Sequence, residues 1–169
     1  MKGKIFFSLT LAAFCIVLTG CDNNDDINRV KALAWNGSAT LTTGQALDVR
    51  KMCESTSWTS GPDDRGRTQV QYSCVFKDIH IGFSDAAIHA PNGIAKAVEN
   101  IQWLVPEGDN ATQDPVMTFF GVTTTSNAGA VAHSSYGNAP AVAAAITSNS
   151  TSTMKTYMQQ IQSLTPSRW

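Results

Sequence analysis

At 169 residues, with 43% hydrophobic and 15% charged residues and a formal net charge of −1, the chain has the size of one domain with one core. Twelve basic residues against thirteen acidic ones, in no basic stripe, exclude the electrostatic footprint of a nucleic-acid binder. No H-E-x-x-H pair, glycine-rich phosphate loop or G-x-S-x-G elbow occurs, so metal, nucleotide and hydrolase signatures are missing from the pattern.

The chain opens on Lys2 and Lys4, followed by an almost wholly apolar run from Ile5 to Leu18. A basic start and an apolar stretch of this length describe a secretory signal peptide, residues 1–20. The run is too short for a membrane-spanning helix, which needs roughly 20 apolar residues. It stops sharply at Cys21-Asp22-Asn23-Asn24-Asp25-Asp26.

Leu18-Thr19-Gly20-Cys21 resembles the lipobox of bacterial lipoproteins. The resemblance implies cleavage before Cys21, a thioether-linked diacylglycerol on its sulfur and acylation of the new amine. One acyl chain holds a protein only marginally, whereas two or three on one residue make a stable anchor. Asp22 resembles the enterobacterial signal that retains a lipoprotein at the periplasmic face of the inner membrane rather than the outer membrane. Residues 21–28 read as a lipidated polar tether. At about 3.3 Å per residue it would lift the domain ~20 Å from the lipid.

An α+β domain is expected over residues 29–122. Val30 to Trp35 reads as a strand, stopped by the turn signal Asn36-Gly37. Thr42 and Gln45 have capping-box spacing and open a helix. Ala46, Val49 and Cys53 then fall on one face of it, with Asp48 early and Arg50 and Lys51 late, as the helix dipole favours. Ser57-Trp58-Thr59 begins a strand, and Gly61 to Arg67 has turn composition. Val70, Tyr72, Cys74 and Phe76 alternate with Gln69, Gln71 and Ser73, the period of a half-buried strand.

With Cys15 removed and Cys21 lipidated, Cys53 and Cys74 remain as an even pair in an oxidising compartment. Their spacing fits neither C-x-x-C nor a zinc pattern, so a disulfide is expected. Cys53 on the helix face and Cys74 on the apolar side of the strand predict a bond stapling helix to sheet. The run from Val30 to Phe76 resembles a small unit of enterobacterial periplasmic lipoproteins, marked by Thr42-Thr43-Gly44-Gln45-Ala46-Leu47, Trp58 and Gly66-Arg67-Thr68-Gln69-Val70. That resemblance implies a fold and no activity.

Ile79 to Phe83 is expected to continue the sheet, and Ile94 to Glu99 to form a helical turn after Pro91-Asn92-Gly93. Ile101, Trp103 and Val105 alternate, as do Val116, Thr118 and Phe120, giving an antiparallel hairpin with a long loop from Pro106 to Pro115. Residues 123–152 turn small and polar, a flexible Ala/Ser/Thr-rich segment with a weak helix at Ala139 to Ile146. Met154, Tyr157, Met158, Ile161 and Leu164 mark an amphipathic helix over 153–169, packing on the domain.

His80, His89 and His133 form no ligand cluster, and Ser134 and Ser135 beside His133 lack a nucleophile's frame. Asp109, Asn110 and Asp114 offer too few oxygens in fixed places for a calcium loop. Asn-x-Ser/Thr triplets at Asn36, Asn110 and Asn149 are what such a composition contains by chance. No catalytic residue, metal or cofactor is expected. The expected role is a membrane-anchored binding or assembly accessory of the cell envelope, with a protein partner there. An envelope-polymer hydrolase and a structural surface lipoprotein are the alternatives.

Overall fold

A computed structural model of the chain describes residues 23–136 and 139–164. The signal segment, Cys21, Asp22 and residues 165–169 lie outside the described residues. The fold is small and α+β: a five-stranded antiparallel sheet with five short helices and one disulfide.

The strands are β1 (Cys53–Pro62), β2 (Thr68–Phe76), β3 (Ile94–Leu104), β4 (Val116–Ser126) and β5 (Val131–Ser135), adjacent in chain order. Pairing opposes Tyr72 to Ile101, Cys74 to Glu99 and Ile101 to Phe120. Because side chains alternate along a strand, Val70, Tyr72, Cys74, Ile101, Trp103, Phe120 and Val122 share one buried face. The expected alternation in β2 is present residue by residue. In β4 a register shift opposite Gln102 and Trp103 leaves Val116 and Thr118 exposed, so the core-facing set there is Phe120, Val122 and Thr124.

The helices are α1 (Asn23–Ala32), α2 (Thr43–Leu47), α3 (Asp85–Ile88), α4 (Ala139–Ser148) and α5 (Thr151–Leu164). α1 corrects two expectations. It occupies both the supposed tether and the start of the supposed strand at Val30. Asp25 and Asp26 sit in its first turn and Arg29 and Lys31 in its last, so side-chain charge complements the helix dipole. Ile27 and Val30, three apart, face inward, and Val30 is fully buried. The stretch from Asn23 that composition marked as solvated is therefore helical and packs on the fold. Arg29 ties α1 to the β3–β4 loop by donating to the backbone oxygens of Ala111 at 2.8 Å and Gln113 at 3.1 Å.

After α1, Trp35 is buried in a short 3-10 turn, its Nε1 donating to the Ala143 carbonyl and the Thr147 hydroxyl. Asn36 (φ 50°) and Gly37 (φ 72°) both take left-handed backbone, which explains why the turn uses these residue types. The capping box is formed: Gln45 N donates to Thr42 Oγ1 at 3.2 Å and Thr42 N to Gln45 Oε1 at 2.9 Å.

α2 ends at Leu47, earlier than the periodicity suggests. Asp48 is held by Trp58 Nε1 at 2.7 Å and by Lys31 at 2.9 Å, and Val49 is 67% exposed. Cys53 is consequently the first residue of β1. The Cys53–Cys74 disulfide exists, with Cα atoms 5.4 Å apart, but it joins strand to strand instead of helix to sheet.

Two further corrections follow from packing. Ile79–Ile81 is a 3-10 turn, capped by Asp78, that buries Ile81 in the helical layer. Ile94–Glu99 is the first half of β3, whose Ile94, Ala97 and Glu99 are buried. The 123–152 segment carries the end of β4, then β5, α4 and the start of α5. Val142, Ala143, Ala145 and Ile146 of α4 are buried, as are Met154 and Met158 of α5, so both helices contribute to the core. The side chains of Tyr157, Ile161 and Leu164 lie outside the described ones.

The β1–β2 turn is fastened by Asp63, which accepts from Arg67 Nε at 2.8 Å and from the Arg65 and Arg67 amides at 2.9 Å each. Those bonds, the Arg67 side chain's first, hold the Asp63 carboxyl down to about 2.

Candidate functional site

The helices pack on one face of the sheet. On the opposite face, β2 presents Gln69, Gln71 and Ser73; β3 presents Asn100 and Gln102; β4 presents Phe119, Gly121 and Thr123; and β5 presents His133. Register places Gln71 opposite Gln102, Ser73 opposite Asn100 and Thr123 opposite His133. Cross-strand partners lie close enough for short polar side chains to bond directly.

They do so in one continuous chain. Gln69 Nε2 donates to Gln102 Oε1 at 3.2 Å, and Gln102 Nε2 to Gln71 Oε1 at 2.9 Å. Gln71 Nε2 donates to Ser73 Oγ at 3.0 Å and Asn100 Oδ1 at 3.3 Å, and Ser73 Oγ to the same Asn100 oxygen at 2.8 Å. Asn100 Nδ2 donates to Thr123 Oγ1 at 2.9 Å, and Thr123 Oγ1 lies 2.9 Å from His133 Nδ1. The contact with the Thr123 hydroxyl engages one ring nitrogen of His133, with the donor and acceptor roles set by the tautomer. Amide–amide hydrogen bonds polarise their neighbours, so such a row is stiffer than its members alone.

Gln71, Asn100, Gln102, Phe119, Thr123 and His133 line a shallow depression of about 330 Å³. Gly121 allows its shape. A Cβ there would come within 2.8 Å of the Phe119 ring and 2.1 Å of the Ser134 carbonyl oxygen. The missing side chain lets the aromatic ring lie along β4 and lets β5 approach closely. None of the six lining residues is an acid, a lysine or an arginine.

On the buried face, sequence reasoning missed a second constellation. Glu99 and Arg50 form an ion pair with both side chains wholly removed from solvent. Tyr136 donates to Glu99 Oε2 at 3.0 Å. Arg50 Nε is buried with no hydrogen-bond partner among the described residues. Burial works to lower the Arg50 pKa, but the charge and hydrogen bonds of Glu99 more than offset it and leave the guanidinium above its ordinary value. Tyr72, whose hydroxyl donates to the Leu47 carbonyl at 2.9 Å, is likewise raised by burial. The signal was available: Ala97, Glu99, Ile101 and Trp103 alternate, which puts the carboxylate on the apolar side of a strand.

The other sequence candidates are dispersed. His80 Nδ1 lies 2.9 Å from Asp85 Oδ1, and His89 Nδ1 lies 2.9 Å from the Asp85 carbonyl, with the two rings 6.4 Å apart. This group is on the surface, with the Asp85 side chain 84% exposed. An apolar recess of about 620 Å³ beside α3, lined by Ala87, Ala90, Pro91, Ile94 and Ala132 among others, includes neither histidine. Ser134 and Ser135 are successive residues of β5 and point to opposite faces. Asp109 and Asn110 belong to a 3-10 turn in the β3–β4 loop. Among the described residues no group of three or more His, Cys, Asp or Glu side chains is placed to hold a metal ion. No described helix is long and apolar enough to cross a membrane.

Comparison with known proteins finds no matching family model, no matching curated protein and no matching solved structure.

Proposed function

We propose that this chain is a lipoprotein of the bacterial cell envelope, anchored through lipid on Cys21 at the periplasmic face of the inner membrane, and that it serves there as a binding or assembly accessory through the open face of its sheet. The carrying observation is the hydrogen-bonded row from Gln69 to His133 across β2, β3, β4 and β5. The row holds its donors and acceptors in fixed directions around a depression, and fixing them beforehand lowers the entropic cost of binding.

The position of α1 agrees with a short-range role. Asn23, two residues after Cys21, is already helical, so the domain would ride close to the lipid surface and not ~20 Å above it. Acylation of Cys21 would supply the membrane anchor.

Expression in a bacterial host tests the anchor. Wild-type protein should enter the detergent phase and fractionate with inner membranes on a sucrose gradient. Cys21→Ala should move nearly all of it to the soluble periplasmic fraction or leave it unprocessed. A variant that partitions as wild type does would contradict the proposal.

A further inference from the structure

We infer that the ligand of the open sheet face is a neutral polysaccharide, bound across the depression between Gln71, Gln102, Phe119 and His133. The inference rests on the reading of that face as the binding surface and names the chemistry it fits.

The chemistry of the lining selects this class. The lining set is Gln71, Asn100, Gln102, Phe119, Thr123 and His133, with no fixed charge, so neither an anionic nor a cationic ligand finds a counter-ion. A nucleic acid would require lysines or arginines at this point, and a bilayer would require an apolar band beside basic residues. A protein partner would normally meet a desolvated centre rich in apolar and aromatic groups, whereas the centre here is built of amides and hydroxyls. What remains is an uncharged molecule with many hydroxyls, able to trade hydrogen bonds with side-chain amides.

The geometry offers such a ligand matching groups. Among the described residues Gln69 Oε1, one N–H each of Gln69 Nε2 and Gln102 Nε2, and His133 Nε2 have no hydrogen-bond partner, while the other side-chain polar atoms of the row are bonded within it, Asn100 Nδ2 donating also to the Val98 carbonyl oxygen. The row thus offers an acceptor and a donor at Gln69, a donor at Gln102 and a ring nitrogen at His133, and keeps its interior rigid. Phe119 supplies the apolar component, its ring lying along β4 because Gly121 leaves room. The C–H face of a pyranose fits an aromatic ring, and its equatorial hydroxyls fit amides at the ring's edge. The depression is shallow and open to solvent, which suits a stretch of a chain better than an enclosed single sugar.

The test uses the processed, full-length protein in detergent micelles, titrated with chitohexaose and with maltohexaose and followed by amide chemical shifts. Saturable shifts confined to residues 69–73, 98–102, 119–123 and 133 support the inference. Phe119→Ala should then weaken binding about tenfold, the scale of one aromatic contact. His133→Ala, at the exposed edge, should also weaken it, while Val49→Ser, remote and exposed, should not. Equal urea midpoints for Phe119→Ala and wild type show that the variant folds. If it does not fold, His133→Ala decides. Absence of saturable shifts with both sugars overturns the inference. In parallel, a photocrosslinking amino acid replaces Thr59 at the rim of the same face, in living cells. A defined protein adduct there with no sugar binding overturns the polysaccharide and leaves the binding face standing. Neither adduct nor sugar binding overturns both.

Discussion

Glu99→Ala should destabilise the domain by about 3–5 kcal/mol, the usual consequence of removing one partner from a buried ion pair. The substitution leaves Arg50 charged, fully enclosed, and with an Nε that already lacks a partner among the described residues. It also removes the acceptor to which the Tyr136 hydroxyl donates. Urea denaturation of wild type and variant measures the loss directly. The pair's own net contribution is a separate matter, because desolvating two charges costs several kcal/mol each before their attraction offsets it. The double variant Arg50→Met, Glu99→Leu should therefore recover most of the stability that Glu99→Ala loses. A Glu99→Ala midpoint equivalent to a loss below about 1 kcal/mol would mean that water or a rearranged side chain compensates Arg50, contrary to the enclosed pair described above.

The second large effect concerns the disulfide. Replacing Cys53 and Cys74 together by alanine should cost about 3 kcal/mol, since the bond closes a loop of roughly 20 residues in the unfolded chain. For a domain of this size that corresponds to a fall of roughly 6–12 °C in Tm. Alanine is chosen because Cys74 is completely buried and a serine hydroxyl would add a desolvation cost of its own. Adding a reductant to the wild type should reproduce the shift and leave the variant's Tm unchanged. The two strands pair along nearly their whole length without help from the bond, so the variant should still fold. A reduced wild type that melts with the oxidised protein would show that the hairpin alone sets the loop's entropy.

Legibility in the sequence followed the physics of each segment. β2 was readable because Val70, Tyr72, Cys74 and Phe76 alternate with polar residues over nine positions. The Thr42–Gln45 box and the Asn36-Gly37 turn were readable because each depends on neighbours within three residues. α1 was hidden because its polar positions outnumber its apolar ones. Its inward stripe is only Ile27 and Val30, and the same acidic residues that mark a tether also favour a helix N-terminus. The first half of β3 reads as a helical turn in sequence because Glu99 sits on its apolar side, and the Arg50 that neutralises it lies 49 residues away. β5 was masked by composition: small residues suit both a loose segment and a strand packed beside Gly121.

The candidate site was illegible for a related reason. Gln69, Gln71, Ser73, Asn100, Gln102, Thr123 and His133 form no motif along the chain. They become a row only when β2, β3, β4 and β5 are in register. Neutral amides carry no charge pattern or metal-ligand spacing that could announce them beforehand.

The central claim is that this chain works from a lipid on its processed first residue, and an intact mass spectrum of protein purified from bacterial membranes tests it most directly. The account predicts a chain beginning at Cys21, heavier than its residues by a diacylglycerol and an amide-linked acyl group. A mass matching an unmodified polypeptide, or one that still includes residues 1–20, would contradict it.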